Sequence, residues 1–395
     1  MDKQYKTTRE FPLSEYKSRY DKARNLMRKQ NIDALLLTQR ENVEYFSGFL
    51  THLWDSKYRP ICTILPMDGD PALVVPLLLK ITAERTSWIK DVRAWRDPSG
   101  LADRTDCAEM IIHTIKDMGL AGSTFGIESG YDMRIGLPLR DMDYIKSNLE
   151  KCAFKDAYET VWQCRMFKSQ LERERIKKAT DITCKSMKET FETTKPGDTE
   201  RDIHRMMSMG FLKYGADEVG FCNVKVSNDP WRCQMADSFP CDNKIKKGDM
   251  IMADVGAKYG GYYADMTRMA FVGEPPQKYA KSYEAARAAT EAAIAVTGPG
   301  VKVCNVYNAA VESLNTAHEI RLPGDRIGHA VGLDIHEPPT IGSEVKEELK
   351  PGMIITLEPI ISSPTGAMFI EDVICITEKG FENYSYLSKE LFIVH

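Results

Sequence analysis

Lys247-Gly-Asp-Met-Ile-Met-Ala-Asp254-Val-Gly-Ala-Lys-Tyr-Gly-Gly-Tyr-Tyr-Ala-Asp265-Met-Thr-Arg268 reads as two strands joined by a turn at Gly260-Gly261. A Gly pair supplies the positive φ angles of a tight hairpin. Counting outward from that turn sets Asp254 opposite Thr267. Asp265 lies two residues from Thr267, so both carboxylates belong to one face. The apolar run Met250–Ala253 before Asp254 argues that this face is buried. Two buried carboxylates repel and cost several kcal/mol each unless a positive group sits between them. Either a metal ion fills that role, or one carboxylate pairs with Arg268 and the other is solvated.

The pattern occurs twice. Lys350-Pro-Gly352-Met-Ile-Ile-Thr-Leu-Glu358 matches Lys247–Asp254, with a turn glycine, an apolar strand and a carboxylate at the same spacing. A second carboxylate follows across a turn in each case, Asp265 after Asp254 and Glu371 after Glu358. Upstream, Pro196-Gly197 with Asp202-Ile203 corresponds to Pro299-Gly300 with Asn305-Val306, each opening an amphipathic helix. An internal duplication of helices plus hairpin follows. Two such halves facing each other would bring four carboxylates to one cavity.

Histidine is scarce, with 7 in the chain. His113 and His204 lie in helical patterns. His329 and His336 share a Gly-punctuated segment, Gly328-His329-Ala-Val-Gly332-Leu-Asp-Ile-His336-Glu-Pro-Pro339, which reads as a short apolar strand leading into the second acidic hairpin.

The 395 residues suffice for two or three domains with sizeable cores. The chain is 43% hydrophobic and 28% charged, ordinary for a soluble globular protein. A net charge of -4 gives no electrostatic reason to expect nucleic acid. The polar N-terminal stretch lacks a signal-peptide core, and no apolar run is long enough to span a membrane. Ten cysteines with no C-x-x-C pair suggest reduced thiols and a cytoplasmic protein.

Residues 1–160 alternate helix and strand as an α/β layer domain. Expected helices are 13–30, 41–46, 77–87, 103–118 and 139–149, and expected strands are 34–37, 62–65, 72–75 and 124–128. There is no Gly-rich phosphate loop. His52-Leu-Trp54-Asp-Ser-Lys-Tyr58-Arg59-Pro60 is either a surface loop with an aromatic anchor or a lid. The duplicated part occupies 161–395, with the boundary expected within 155–168 and a long helix running to about Thr194.

The order Asp254, Asp265, His329, Glu358, Glu371, together with Gly-His-x-x-Gly-Leu-x-x-His-Glu-Pro-Pro and Thr-Leu-Glu-Pro, resembles the creatinase/prolidase/aminopeptidase P family over essentially the whole chain. That resemblance implies an N-terminal α/β domain plus a duplicated α+β "pita-bread" catalytic domain with two divalent metal ions. Asp265 and Glu371 would bridge both ions, Asp254 would hold one, and His329 and Glu358 the other. His336 would stabilise the transition state without binding metal, and Glu358 would also shuttle the proton. The implied activity is cleavage of a C–N bond by a metal-bound hydroxide, as in Xaa-Pro dipeptidases and aminopeptidases. Four carboxylates and one imidazole form a hard ligand set favouring Mn(II), Fe(II) or Co(II), with Zn(II) as a further alternative.

Two departures bear on the substrate. Proline-directed relatives carry a histidine upstream of the first metal Asp, whereas Val226–Pro240, including Trp231, contains none; they also have Arg-Ile-Glu where this chain has Phe369-Ile-Glu371. A hydrolase or lyase of a small metabolite, such as an amide or a dimethylsulfoniopropionate-type compound, is the alternative, and a non-catalytic binding module the third reading. The family also implies a homodimer, with Trp54 or Arg59 closing the partner's pocket and Trp231 lining the cavity.

Overall fold

The computed structural model describes residues 9–96, 106–229, 239–314, 320 and 322–395. They form two compact units, Met1–Arg165 and Met166–His395.

In the first unit α1 (Leu13–Gln30) buries Tyr16, Tyr20, Ala23 and Met27 along one helical stripe and stops at Asn31, which takes the left-handed conformation. There follow β1 (Ala34–Leu37), α2 (Arg40–Ser47), β2 (Cys62–Pro66), β3 (Ala72–Pro76), α3 (Lys80–Thr86), β4 (Asp91–Trp95), α4 (Asp106–Asp117), β5 (Thr124–Ile127), α5 (Leu139–Asn148), β6 (Ala153–Asp156) and α6 (Tyr158–Met166). The strands make one six-stranded mixed sheet in the order β4-β3-β2-β1-β5-β6. β1 is buried along its whole length, as a central strand covered on both faces must be. The edge strands β4 and β6 were not expected from the sequence. Most of their side chains are partly exposed, and Asp91-Val-Arg-Ala-Trp95 and Ala153-Phe-Lys-Asp156 lack an apolar run.

The second unit comprises α7 (Gln170–Thr193), α8 (Glu200–Lys213), β7 (Glu218–Ser227), β8 (Met250–Tyr259), β9 (Tyr262–Tyr263), β10 (Met266–Val272), α9 (Gln277–Val296), α10 (Val303–Leu314), β11 (Ile354–Leu357), β12 (Ile361–Ser363), β13 (Gly366–Met368), β14 (Asp372–Thr377), β15 (Gly380–Asn383) and β16 (Phe392–Val394). α7 and α8 each begin with a reciprocal cap, Ser169 with Glu172 and Thr199 with Asp202, worth about 1 kcal/mol apiece.

The internal duplication is visible in the hydrogen bonding. Gly197 N donates to Ile245 O and Gly300 N to Leu349 O; Gly248 N donates to Val272 O and Gly352 N to Ile376 O. Gly248 and Gly352 have φ of 94° and 90°, the left-handed turn each strand needs at its start. The first half is the sheet β16-β10-β8-β7 with β9 on β8, and the second is β11-β14-β15. Met250, Met252, Met269 and Phe271 from the first sheet pack with Ile355, Leu357 and Ile374 of the second and with α9 and α10 in one core.

Candidate metal centre and active site

The pairing deduced from the Gly260-Gly261 turn is the pairing observed. Both glycines have positive φ, 61° and 88°. Asp254 faces Thr267 on β10 and Asn223 on β7, so these three side chains share one face. Asp265 lies just before β10. A Cβ at Gly256 would stand 1.9 Å from Ala264 O, and only a glycine permits that approach where the chain turns Asp265 inward. One carboxylate oxygen each of Asp254, Asp265 and Glu371 lie within 4.8 Å of one another.

The second half supplies the other groups. Glu358 directly follows β11, and its N–H donates to Ile327 O. Glu371 directly precedes β14, and its N–H donates to Thr267 O at 3.1 Å, which ties the two halves together at the site. The segment holding both histidines is not the strand that its apolar residues suggested. It is an irregular loop held by isolated bridges from Ala330 to Glu337 and to Ile355.

His329 is positioned by its ring. Its Nδ1 lies 2.9 Å from Ala330 O; with Nδ1–H donating there, the Nε2 lone pair faces the acids. Nε2 is 3.4 Å from Asp265, 3.6 Å from Glu358 and 4.0 Å from Glu371. His336 stands edge-on to His329, ring centres 4.1 Å apart at 83°. A ring nitrogen of His336 also lies within 4.8 Å of ligand atoms of Asp265 and His329. All six expected residues, Asp254, Asp265, His329, His336, Glu358 and Glu371, therefore converge.

Burial and mutual repulsion disfavour charge here. Burial pushes Asp265 up to about 7. Burial and the charges of Asp265, Glu358 and Asp254 hold Glu371 far above the usual carboxylate range. Burial raises Glu358 as well and drives His329 down to about 4. Glu371 Oε1 is buried without a hydrogen-bond partner, which is costly for an acceptor unless a cation meets it. An orphaned oxygen, clustered acids and an imidazole with its lone pair directed at them fit hard divalent cations.

Two residues around the centre were not anticipated as part of it. Thr267 Oγ1 donates to Glu371 Oε2 at 3.1 Å. Arg326 Nη2 donates to Glu358 Oε1 at 3.3 Å; its place three residues before His329 is the signal that could have found it. Arg268, the alternative partner for the first hairpin's acids, instead pairs with Asp372 at 2.7 Å, both fully buried, and donates to the carbonyls of Thr267 and Glu371.

Trp54 and Arg59 lie in the first unit. Trp54 is partly buried against Phe49, ring centres 6.1 Å apart, and its indole N–H is buried without an acceptor. The Arg59 guanidinium stacks 4.3 Å from the Tyr58 ring centre and donates to Ser56 Oγ. Trp231 lies outside the described residues.

Residues 174–378 match the metallopeptidase family M24, and residues 19–167 match the creatinase/prolidase N-terminal domain. Curated relatives include an Xaa-Pro dipeptidase of Pyrococcus furiosus, 29% identical with 95% of this chain and 99% of that one covered. An Xaa-Pro dipeptidase of Lactobacillus delbrueckii subsp. lactis is 26% identical, with 95% and 98% covered. Among solved structures, the prolidase of Thermococcus sibiricus superposes with a TM-score of 0.84 at 26% identity, covering 96% of this chain and 99% of that one. With its α/β N-terminal domain and duplicated pita-bread catalytic domain, the chain belongs to metallopeptidase family M24 and is a metallopeptidase-like hydrolase.

Proposed function

We propose that this protein is a dinuclear-metal hydrolase that cleaves the C–N bond of Xaa-Pro dipeptides or short Xaa-Pro peptides. The observation that carries this reading is the convergence of the buried Asp265, Glu371 and His329 with the half-buried Asp254 and Glu358, around a Glu371 oxygen that no hydrogen bond reaches. Asp254, Asp265, His329, Glu358 and Glu371 would hold two divalent ions, with Asp265 and Glu371 shared between them. Their hardness favours Mn(II), with Fe(II), Co(II) and Zn(II) as alternatives. Two such ions supply a water acidic enough to attack at neutral pH, together with a Lewis acid for the carbonyl. Glu358 takes the proton and passes it to the leaving nitrogen. His336 donates to the developing oxyanion from beside His329.

The test has two arms. Metal analysis of the purified protein should find two equivalents of divalent metal per chain. Xaa-Pro dipeptides should be turned over in preference to other dipeptides, simple amides and sulfonium compounds. Turnover confined to a non-peptide compound would instead establish the small-metabolite reading, which the absence of histidine from Val226–Pro240 and Phe369 in place of the relatives' arginine favour. A metal-free, inactive protein would leave only a binding module.

The reading extends to assembly. A symmetric homodimer would let Trp54 or Arg59 reach the partner's pocket. Mixing an Arg59→Ala chain with an Asp265→Ala chain should then restore activity, because one pocket of the mixed dimer carries both defects and the other neither. Verified heterodimers without activity would assign the loop to its own chain. A cytoplasmic location is proposed on the ten cysteines; among the described residues no helix is long and apolar enough to cross a membrane.

A further inference from the structure

We propose that Lys168 and Glu337 are positioning residues for His336, acting through a buried ion pair. The inference rests on the oxyanion role given to His336 above. Lys168 Nζ lies 3.0 Å from Glu337 Oε2, and both side chains are only 1% exposed. Burying two ions is expensive, and such a pair contributes little to stability over an apolar replacement; its geometric consequence is what matters here.

That consequence can be traced atom by atom. The second Glu337 oxygen accepts the backbone N–H groups of Leu333 at 3.0 Å and Asp334 at 3.3 Å. Glu337 and Ala330 exchange backbone hydrogen bonds in both directions, at 2.8 and 3.0 Å. The loop from Ala330 to Glu337 is thus wrapped around one carboxylate. Gly332 shows how closely, since a Cβ there would stand 2.4 Å from Glu337 Oε1. His329 precedes the loop's first bridging residue and His336 precedes its last, which sets the two imidazoles edge-on.

Lys168 anchors the carboxylate to the catalytic unit's frame. Its N–H donates to Gly352 O at 2.9 Å, at the turn that opens β11 and leads to Glu358. One lysine therefore ties the loop carrying both histidines to the strand carrying a candidate ligand. The first hairpin adds a third attachment, with Tyr263 N donating to Gly332 O at 2.9 Å.

The test is a double-mutant cycle with His336→Ala. Lys168→Met/Glu337→Ala removes both charges, so no uncompensated ion stays buried. It should lower kcat roughly 10–100-fold, the scale of losing a supporting group around a metal site, with KM and metal content unchanged. Lys168→Met/Glu337→Gln keeps an acceptor for Leu333 and Asp334 and should recover most of kcat. In the His336→Ala background, itself slower by roughly 10²–10³, neither pair should slow the enzyme further. Losses that multiply with His336→Ala, or a Gln pair no better than the Ala pair, overturn the proposal. Should the Ala pair not fold, Lys168→Met/Glu337→Met, which keeps the side-chain bulk without an acceptor for Leu333 and Asp334, takes its place in the same cycle with the same expected losses.

A second readout needs neither substrate nor metal. In the ¹⁵N-histidine spectrum of the metal-free protein, the His336 signal, assigned by its loss in His336→Ala, should move toward that of a freely rotating imidazole in the Ala pair. It should stay in place in the Gln pair. An unmoved signal in the Ala pair overturns the positioning role whatever the enzyme hydrolyses, whereas failure on Xaa-Pro peptides alone leaves it standing.

Discussion

The two halves of the catalytic unit begin alike and end differently. Gly248 and Gly352 make the same turn, and Asp254 and Glu358 follow at the same distance. Beyond that the first half closes directly through Gly260-Gly261, whereas the second folds the equivalent stretch into the separate ribbon β12–β13. The same spacing from Gly248 to Gly352 equates Thr267 with Glu371, and Arg268 with Asp372. Each equivalent pair is in contact, Thr267 with Glu371 and Arg268 with Asp372. Asp265 has no acidic counterpart, because its equivalent position is the buried Phe369. Each half still contributes a second acid, Asp265 coming 11 residues after Asp254 and Glu371 13 after Glu358. The repeat supplies a common frame of strands, and the shared ligands sit at different steps of that frame.

Removing either shared acid should break the comparison most completely. Asp265→Ala or Glu371→Ala deletes a group proposed to touch both ions, and each should abolish activity and metal binding together. Metal analysis beside a turnover assay checks this. A variant retaining two equivalents and wild-type turnover would place the centre elsewhere.

The acids also set a pH dependence for metal-stripped protein. Asp265 is raised to about 7 from an ordinary 3.8, so the folded state binds its proton more tightly than the unfolded state. The stability this contributes is complete below 3.8 and is lost as pH rises from there to about 7, on the order of 4 kcal/mol from this group. Glu371 and Glu358 act in the same direction. His329 opposes them, because its value falls from 6.5 to about 4 and its contribution is lost as pH falls through that window. Above 6.5 only the acids remain in play. Thermal unfolding of chelated protein should accordingly show Tm falling as pH rises from 6.5 through about 7. Saturating Mn(II) should reverse the slope, since ligation requires deprotonated acids. A flat profile for stripped protein would mean the acids are separated by solvent.

Arg268 tests the frame rather than the ligands. It is fully buried, and its guanidinium also holds Leu387 and Ser388 carbonyls. Arg268→Met should destabilise the fold by about 3 kcal/mol, since it leaves Asp372 buried with only Lys389 and Asn383. Denaturant unfolding measures it, and a loss below about 1 kcal/mol would reduce the pair to a surface-type contact.

Much of this site could be read in the sequence because strand periodicity and turn chemistry are local. The Gly260-Gly261 turn fixes the register, and the register fixes which acids share a face. The duplication then pairs Asp254 with Glu358 without any homologue. Contacts between elements far apart in sequence were not legible. Thr267 and Arg268 are ordinary strand residues until β14 is laid beside them, and Lys168 meets Glu337 only after α7 and β11 have packed. The loop from Gly328 to Pro339 misled for a related reason: its apolar residues are buried by tertiary packing rather than by sheet alternation, so their spacing imitates a strand.

Thr267 also joins the halves, and here the smallest effect is expected. Its hydroxyl is fully buried and donates to Glu371 Oε2, while no hydrogen bond reaches Glu371 Oε1. Thr267→Val keeps the shape and β-branching of the side chain and deletes only the donor. Glu371 would then lose one hydrogen bond, about 1 kcal/mol, and orient less well toward a shared ion. Metal affinity should fall roughly fivefold, with kcat at saturating metal little changed. Thr267→Ser restores the hydroxyl and should restore affinity, which separates the hydrogen bond from side-chain volume. Titration with Mn(II) followed by calorimetry reads both variants. If Thr267→Val binds as tightly as wild type, position 267 only fills space against its counterpart, and the contact between the equivalent positions does no chemical work.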